Sequence, residues 1–229
     1  FGANAAKAGE LSDELIRAGV EIARKAAGGR FVALDLGPTG KMLEPVGTMT
    51  FEEAYDVYAR AVRAGRDADV VLVETMSDLA ELRAALLAAR ENCDLPVIAC
   101  MTFADGERTF TGCGVESFAL TASPLADVVG VNCSLGPSEL LPVVKKLVRM
   151  TDKPVIVQAN AGLPDARLNY SVDAEEFAAC AERFMDAGVR IVGGCCGTTP
   201  EYIRRIRELA DRKKPAQPGY APYAAVCSA

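Results

Sequence analysis

The sequence predicts an α/β protein of the (β/α)8 TIM-barrel type. Six short runs of Val, Ile and Leu alternate with amphipathic helical segments, after one leading helix. The runs are apolar throughout, which is typical of strands buried on both faces of a parallel sheet. The repeat spacing of roughly 25–35 residues is that of strand-helix barrel units. A doubly wound sheet is the alternative, but no G-x-G-x-x-G motif follows any strand.

The expected elements are read from periodicity and from turn and capping residues. Apolar residues spaced along 11–23 predict the leading helix, which the glycines at 28–29 end. The strands are expected at 31–34 (running on to 36), 70–73, 97–103, 128–131, 155–157 and 191–192. Thr50 and Glu53 form a capping box for the helix that runs to about residue 64. Further helices are expected over 78–90, from 139, over 174–187 and to 209, with a short one after the polar loop 104–114.

Composition limits the possible partners and the location of the protein. The 229 residues carry a net charge of -6, and the pI is about 4.9, which argues against nucleic acid and against an anionic membrane surface. No apolar run approaches the roughly 18 residues of a membrane span. The eight cysteines, several of them inside expected strands, are interpreted as reduced thiols, and we expect a cytoplasmic protein.

Polar residues stand at the ends of four expected strands. Glu74, Asn132 with Cys133, Asn160, and Cys195 with Cys196 all occupy this position. The carboxyl ends of parallel barrel strands open onto one face, where such enzymes keep their active sites. We therefore expect these side chains to lie together around one mouth.

The three thiols at strand ends predict a zinc site. Cys133, Cys195 and Cys196 would supply three ligands and leave a fourth position open, as in catalytic zinc sites. Without these partners, Cys133 would be an ordinary buried cysteine, and the adjacent pair could be two small core residues or a vicinal disulfide. Glu74 could instead cap a helix or form a salt bridge, and Asn160 could simply hold its own loop through bonds from its side chain to the backbone.

The other cysteines are given smaller roles. Cys113 lies in a loop on the expected catalytic face and could be a nearby reactive thiol. Structural or incidental roles are expected for Cys93, Cys100, Cys180 and Cys227.

These motifs resemble the homocysteine S-methyltransferase family, most closely the homocysteine-binding domain of its cobalamin-dependent members. The resemblance covers almost the whole chain. It rests on Val73-Glu74-Thr75, Asn132-Cys133-Ser134 and Gly193-Gly194-Cys195-Cys196-Gly197-Thr198, with support from Gly37-Pro38-Thr39-Gly40, Thr102-Phe103, Thr109-Phe110-Thr111-Gly112 and Asn160-Ala161-Gly162-Leu163-Pro164.

The resemblance implies a (β/α)8 barrel that transfers a methyl group to the thiol of homocysteine. It implies Zn2+ held by Cys133, Cys195 and Cys196, with Glu74 on the substrate amino group and Asn160 beside the metal. Methylcobalamin, carried on a corrinoid-binding domain or protein, is the implied donor. The residues themselves name no donor, so S-adenosylmethionine, S-methylmethionine and betaine stay open.

The chain also departs from the family pattern. The Asp-Gly-(small)-Met-Gly-Thr phrase of the family's first strand is absent, and the opening Phe1-Gly2-Ala3-Asn4 matches the segment after the second strand. The first strand-helix unit and the second strand are therefore expected to be missing from this chain. We expect an incomplete barrel domain over 1–213 and a C-terminal strap or linker over 214–229, whose Cys227-Ser228-Ala229 ending resembles the link to a further domain.

Two other functions remain open at this point. Gly193-Gly194 before a helix could cradle a phosphate, which would suit a metal-free barrel enzyme acting on a phosphorylated small molecule. The missing strands would also suit a non-catalytic remnant that still binds zinc.

Overall fold

The chain forms one curled parallel sheet of six strands with its helices on the outside. The computed structural model describes residues 1–104 and 107–222. The strands are β1 (Ala33–Leu36), β2 (Val70–Met76), β3 (Val97–Met101), β4 (Val128–Asn132), β5 (Val155–Ala159) and β6 (Ile191–Gly194). The helices are α1 (Ala5–Ala8), α2 (Ser12–Ala27), α3 (Phe51–Ala64), α4 (Leu79–Asn92), α5 (Val115–Ala122), α6 (Pro137–Met150), α7 (Ala174–Asp186) and α8 (Pro200–Arg212), with a 3₁₀ turn at Gly9–Leu11.

The strand order establishes the fold class. Each strand pairs in parallel with the next one along the chain, so the sheet order is β1-β2-β3-β4-β5-β6. A helix connects each pair of consecutive strands, as in a barrel and unlike a doubly wound sheet, whose strand order reverses. The expected partial (β/α) barrel is thereby confirmed. Within the described residues β1 and β6 form the two edges of the sheet.

The strands are held by packing on their helix side. Val71, Val73, Val97, Val129 and Val157 are fully buried there, between the sheet and the helices. Fully burying one such side chain stabilises the fold by about 1.5–3 kcal/mol. This explains why the residues on the helix side of these strands are apolar.

Helix caps match the sequence signals. The Thr50 hydroxyl accepts from Glu53 N–H, and the Glu53 carboxylate accepts from Thr50 N–H, which confirms the predicted capping box. The Asp78 and Asp173 carboxylates accept hydrogen bonds from backbone N–H groups in the first turns of α4 and α7. These caps fix where each strand-end loop turns into its helix.

Several boundaries differ from the prediction. β1 starts at Ala33, because Phe31 stands outside the sheet with 90% of its surface exposed. β3 ends at Met101, and α6 starts with Pro137, whose fixed φ suits a first helical turn. The short helix α1 was not predicted.

Beyond α8 the chain runs back along the end of α7. Ala216 N–H donates to Met185 O, and the Lys213 ammonium lies 2.7 Å from an Asp186 carboxylate oxygen. These contacts suit a strap, whereas the domain boundary at 213 stays a prediction. Cys227 and the final residues lie outside the described part of the chain. Among the described helices, none is both long and apolar enough to cross a membrane.

Candidate functional site

The polar strand-end residues are brought to one end of the sheet, as predicted. Glu74 is near the carboxyl end of β2, Cys133 directly follows β4, Asn160 follows β5, and Cys195 follows β6. Because all six strands are parallel, these positions share one rim of the partial barrel.

The three predicted ligand cysteines form one cluster. The Sγ atoms of Cys133, Cys195 and Cys196 all lie within 4.8 Å of one another, and those of Cys133 and Cys196 are 3.7 Å apart. β5 lies between the two strands that carry them and aligns both. Cys133 N–H donates to Gln158 O at 3.0 Å, and Cys195 N–H donates to the next carbonyl of β5 at 2.8 Å.

The glycines around the cysteine pair are explained by close contacts. Gly197 has φ 79°, and a Cβ placed there would lie 2.3 Å from the ring of Tyr170. A Cβ on Gly194 would lie 2.5 Å from Thr198 Oγ1, which donates to Cys195 O. Only glycine permits the turn that presents both cysteines on the same rim.

The cluster favours one thiolate in the metal-free chain. A hydrogen bond from the Cys195 thiol, helped by Ser134 N–H and Cys196, lowers the pKa of Cys133 to about 5. The same bond raises the pKa of Cys195, and burial with the Cys133 charge raises the pKa of Cys196. A second or third thiolate here therefore requires a cation.

The donor set fits zinc. Tetrahedral zinc with bonds of about 2.3 Å to sulfur separates two ligand sulfurs by about 3.8 Å. The distance between Cys133 and Cys196 is close to this value. Three converging soft donors without histidine are the chemistry that selects zinc rather than magnesium or calcium.

Asn160 lies directly against the cluster. It is 4% exposed, and its Oδ1 accepts from Cys196 N–H at 3.1 Å. A hydrogen bond from its side chain also helps to lower the pKa of Cys133. Asn160 thus braces two of the three cysteines, whichever further role it has.

Glu74 faces the barrel interior with an unsatisfied carboxylate. Its side chain is bonded to Gln158, yet among the described residues no donor reaches its buried Oε2. Burial, the nearby Asp35 and the Cys133 thiolate raise the pKa of Glu74 to about 7. Burial also raises the pKa of Asp35, whose Oδ1 is equally without a partner within the described chain. Buried acceptors without donors indicate room for a cationic or hydrogen-bonding ligand.

The remaining cysteines lie outside the cluster. Cys100 is fully buried in the barrel interior, 3.8 Å from Gln158 Oε1. Cys113 lines a cavity of about 410 Å³ between the loops that follow β1, β2 and β3. Cys93 directly follows α4, and Cys180 lies on α7.

Sequence reasoning missed three neighbours of the site. Tyr170 bonds to Cys196 through its side chain, Gln158 bonds to Glu74, and Asp35 lies close enough to raise the pKa of Glu74. Asp35 and Gln158 are strand residues before a carboxyl end, and this position could have marked them. Tyr170 belongs to a long loop that carries no such signal.

A family model supplies the identification. Residues 1–210 match the model of the homocysteine S-methyltransferase family. The chain belongs to this family. A relative among characterised proteins is the methionine synthase of Mycobacterium tuberculosis, 33% identical over 248 aligned residues. The alignment covers 97% of this chain but only 21% of that protein, so the chain spans about one fifth of its relative.

Solved structures of a homocysteine methyltransferase share the fold. The homocysteine methyltransferase MmuM of Escherichia coli in its oxidised form aligns with a TM-score of 0.75 at 23% identity, over 91% of this chain and 77% of that one. Its metallated form aligns with a TM-score of 0.70 at 24% identity, over 86% of this chain and 71% of that one. At this identity the similarity establishes the fold alone.

Proposed function

We propose that this member of the homocysteine S-methyltransferase family transfers a methyl group to the thiol of homocysteine, giving methionine. One observation carries the proposal. Three cysteine sulfurs converge within 4.8 Å at the strand ends, on the rim that also carries a buried Glu74 carboxylate oxygen with no donor among the described residues. A sulfur-rich cation site beside a carboxylate suits a ligand with a thiol at one end and an ammonium group at the other.

Cys133, Cys195 and Cys196 would hold the zinc ion. When bound, zinc would keep the homocysteine sulfur as a nucleophilic thiolate at neutral pH. Asn160 would hold the Cys196 backbone through its Oδ1, and Tyr170 would close the same side of the cluster.

Glu74 would orient the substrate by accepting hydrogen bonds from its ammonium group. Gln158, already bonded to Glu74, would keep this carboxylate in place. In the transfer, a bond forms between sulfur and the methyl carbon while the bond from that carbon to the donor breaks, and its electron pair leaves with the donor. The thiol proton goes to solvent as the sulfur binds, because Glu74 must itself be ionised to pair with the ammonium group. The protein contributes position and exclusion of water.

The proposed donor is a methylated corrinoid on another domain or protein, as the sequence resemblance implies. Exposed apolar side chains on the strand-end loops support a macromolecular donor. Val46, Phe110 and Leu168, on the loops after β1, β3 and β5, are 78%, 85% and 76% exposed. These side chains would offer apolar contacts to a partner that covers the rim.

A phosphorylated substrate is disfavoured by the contents of the glycine turn. The space beside Gly194 that a phosphate would need is filled by the Thr198 side chain, which is bonded to Cys195 O. A non-catalytic zinc-binding remnant has the same metal site and differs only in binding no homocysteine. A cytoplasmic location stays a prediction.

Calorimetry of homocysteine binding in two buffers of different ionisation enthalpy tests the proposal. A free thiol has a pKa near 8.5, so its binding as a thiolate should release about one proton at pH 7. Glu74, with a pKa of about 7, should add up to about half a proton as it ionises against the ammonium group. Binding without proton release, or equal binding by the zinc-free chain, would refute the thiolate role. If the zinc-bound chain binds no homocysteine, the alternative of a non-catalytic zinc-binding remnant is favoured.

A further inference from the structure

Asn132, the last residue of β4, is fully buried and joins two strands that are not neighbours in the sheet. Its Oδ1 accepts from Thr75 N–H at 2.8 Å, and its Nδ2 donates to Thr75 Oγ1 at 2.8 Å. Thr75 belongs to β2, and β3 lies between the two strands. The amide therefore reaches across the end of β3 and holds Thr75 by its backbone N–H and its hydroxyl group.

The backbone at Thr75 is in an unfavourable conformation. Its φ is 60°, in the left-handed region that β-branched residues avoid. Val73 pairs with Ala99 and Met76 pairs with Met101, so β2 advances three residues while β3 advances two. Glu74 and Thr75 form this bulge, and bulges change the direction in which a side chain points. The bond from Asn132 to Thr75 stabilises the bulge that directs Glu74 towards the barrel interior.

The same amide is adjacent to the cysteine cluster. Cys133 follows Asn132 directly and has a φ of 60°, and Asn132 Nδ2 lies 4.0 Å from Cys195 Sγ. One buried side chain thus contacts the residue after Glu74 and also borders two of the three cysteines.

We propose that Asn132 is a positioning residue that fixes the span between the Glu74 carboxylate and the cysteine sulfurs. Through this span it selects the length of the amino-acid thiol that the site accepts. The inference rests on the proposed function, in which the ammonium group and the thiol occupy these two ends. Three carbons separate nitrogen from sulfur in homocysteine and two in cysteine, so a fixed span admits the first and rejects the second.

The test compares homocysteine and cysteine dissociation constants for the zinc-bound full chain and its variants. The wild type should prefer homocysteine by about 10–200-fold, the range for one methylene group. Asn132→Ala should bind homocysteine about 10–100-fold more weakly, since small misplacements have effects of this size. Its affinity for cysteine should change little, so the preference should fall at least about tenfold. Bound zinc should be unchanged.

Two further variants separate positioning from general stability. Thr75→Gly removes the unfavourable side chain from the bulge, because glycine adopts positive φ readily. In this background, loss of the Asn132 amide should reduce the homocysteine preference less than it does in the wild type. Thr102→Val is the matched control, since it removes the bond from Thr102 Oγ1 to Asn132 O at 3.0 Å and leaves both bonds to Thr75. This variant should keep the preference.

The outcomes are distinguishable from failure of the proposed function. An Asn132→Ala chain that keeps zinc and the full homocysteine preference would overturn the inference. So would a result in which Asn132→Ala reduces the preference as much in the Thr75→Gly background as it does in the wild type. If the wild type binds neither thiol, the proposed function is wrong. In that case crystal structures of the wild type and of Asn132→Ala test the inference. A Glu74 carboxylate that occupies the same position in both would overturn it. If Asn132→Ala fails to fold, the homocysteine preference of the double variant Asn132→Ala/Thr75→Gly is compared with that of Thr75→Gly alone.

Discussion

Replacing Cys195 with alanine is expected to reduce bound zinc from about one ion per chain to less than about a tenth. A methyl group cannot replace a thiolate ligand, and the two remaining sulfurs cannot enclose the ion. The loss of affinity should exceed the roughly 10–100-fold typical of residues that only support a metal ligand. Cys133→Ala and Cys196→Ala should behave alike, because all three sulfurs belong to the same cluster. Metal analysis after gel filtration, with a chromophoric chelator as competitor, measures the effect.

Cys93→Ala is the matched control for this experiment. Cys93 is also a half-buried free thiol, but it caps the end of α4 and donates to Ala89 O. The control should keep its zinc. Full zinc in the Cys195→Ala chain would show that the three cysteines do not form the metal site.

Glu74→Gln is expected to weaken homocysteine binding by about 30-fold or more, while zinc stays in place. Removing one member of a buried charge pair costs about 2–5 kcal/mol, and a Gln amide has no charge and only one acceptor oxygen for the ammonium group. The fold should survive, because the change removes a buried carboxylate that has an unpartnered oxygen in the described structure. Calorimetry together with metal analysis measures both quantities.

The pH dependence of the same binding identifies Glu74 more specifically. The raised pKa of about 7 means that Glu74 is neutral below pH 7 and must lose a proton to pair with the ammonium group. The wild-type dissociation constant should rise by about one decade per pH unit between pH 8 and 7, mostly because the thiol must ionise. Below pH 7 it should rise by up to about two decades per unit, as Glu74 adds a second proton. Three thiolates around Zn2+ carry about the same net charge of -1 as one free thiolate, so the metal should leave this effect largely intact.

The homocysteine dissociation constant of Glu74→Gln should rise by about one decade per pH unit both above and below pH 7. A variant that keeps the steeper slope below pH 7 would assign the second proton to another group. Asp35, whose pKa burial also raises, would be the next group to test.

The sequence was sufficient for the parts of the fold that depend on local pattern. Short apolar runs marked all six strands because each is covered by helices on one side and faces the barrel interior on the other. Their carboxyl ends then had to share one rim, so Glu74, Cys133, Asn160 and Cys195 could be grouped from their positions along the chain alone. The capping box at Thr50 was equally local.

What the sequence could not supply depends on contacts between distant residues. α1 has only four residues, too few for a periodic pattern. The β2 bulge places a threonine at positive φ, against its own preference, and an amide 57 positions away holds it there. The contact of Tyr170 with Gly197 likewise joins two separate loops. The sequence therefore predicted the cysteines and Glu74 but not the residues that position them.

X-ray absorption at the zinc edge, with and without homocysteine, tests the central claim most directly. The claim is that Cys133, Cys195 and Cys196 hold zinc with one position open for the substrate sulfur. The account predicts three sulfur neighbours at about 2.3 Å in the free protein and four at saturating homocysteine. A sulfur count that stays at three when homocysteine is bound, as judged by calorimetry on the same sample, would contradict it.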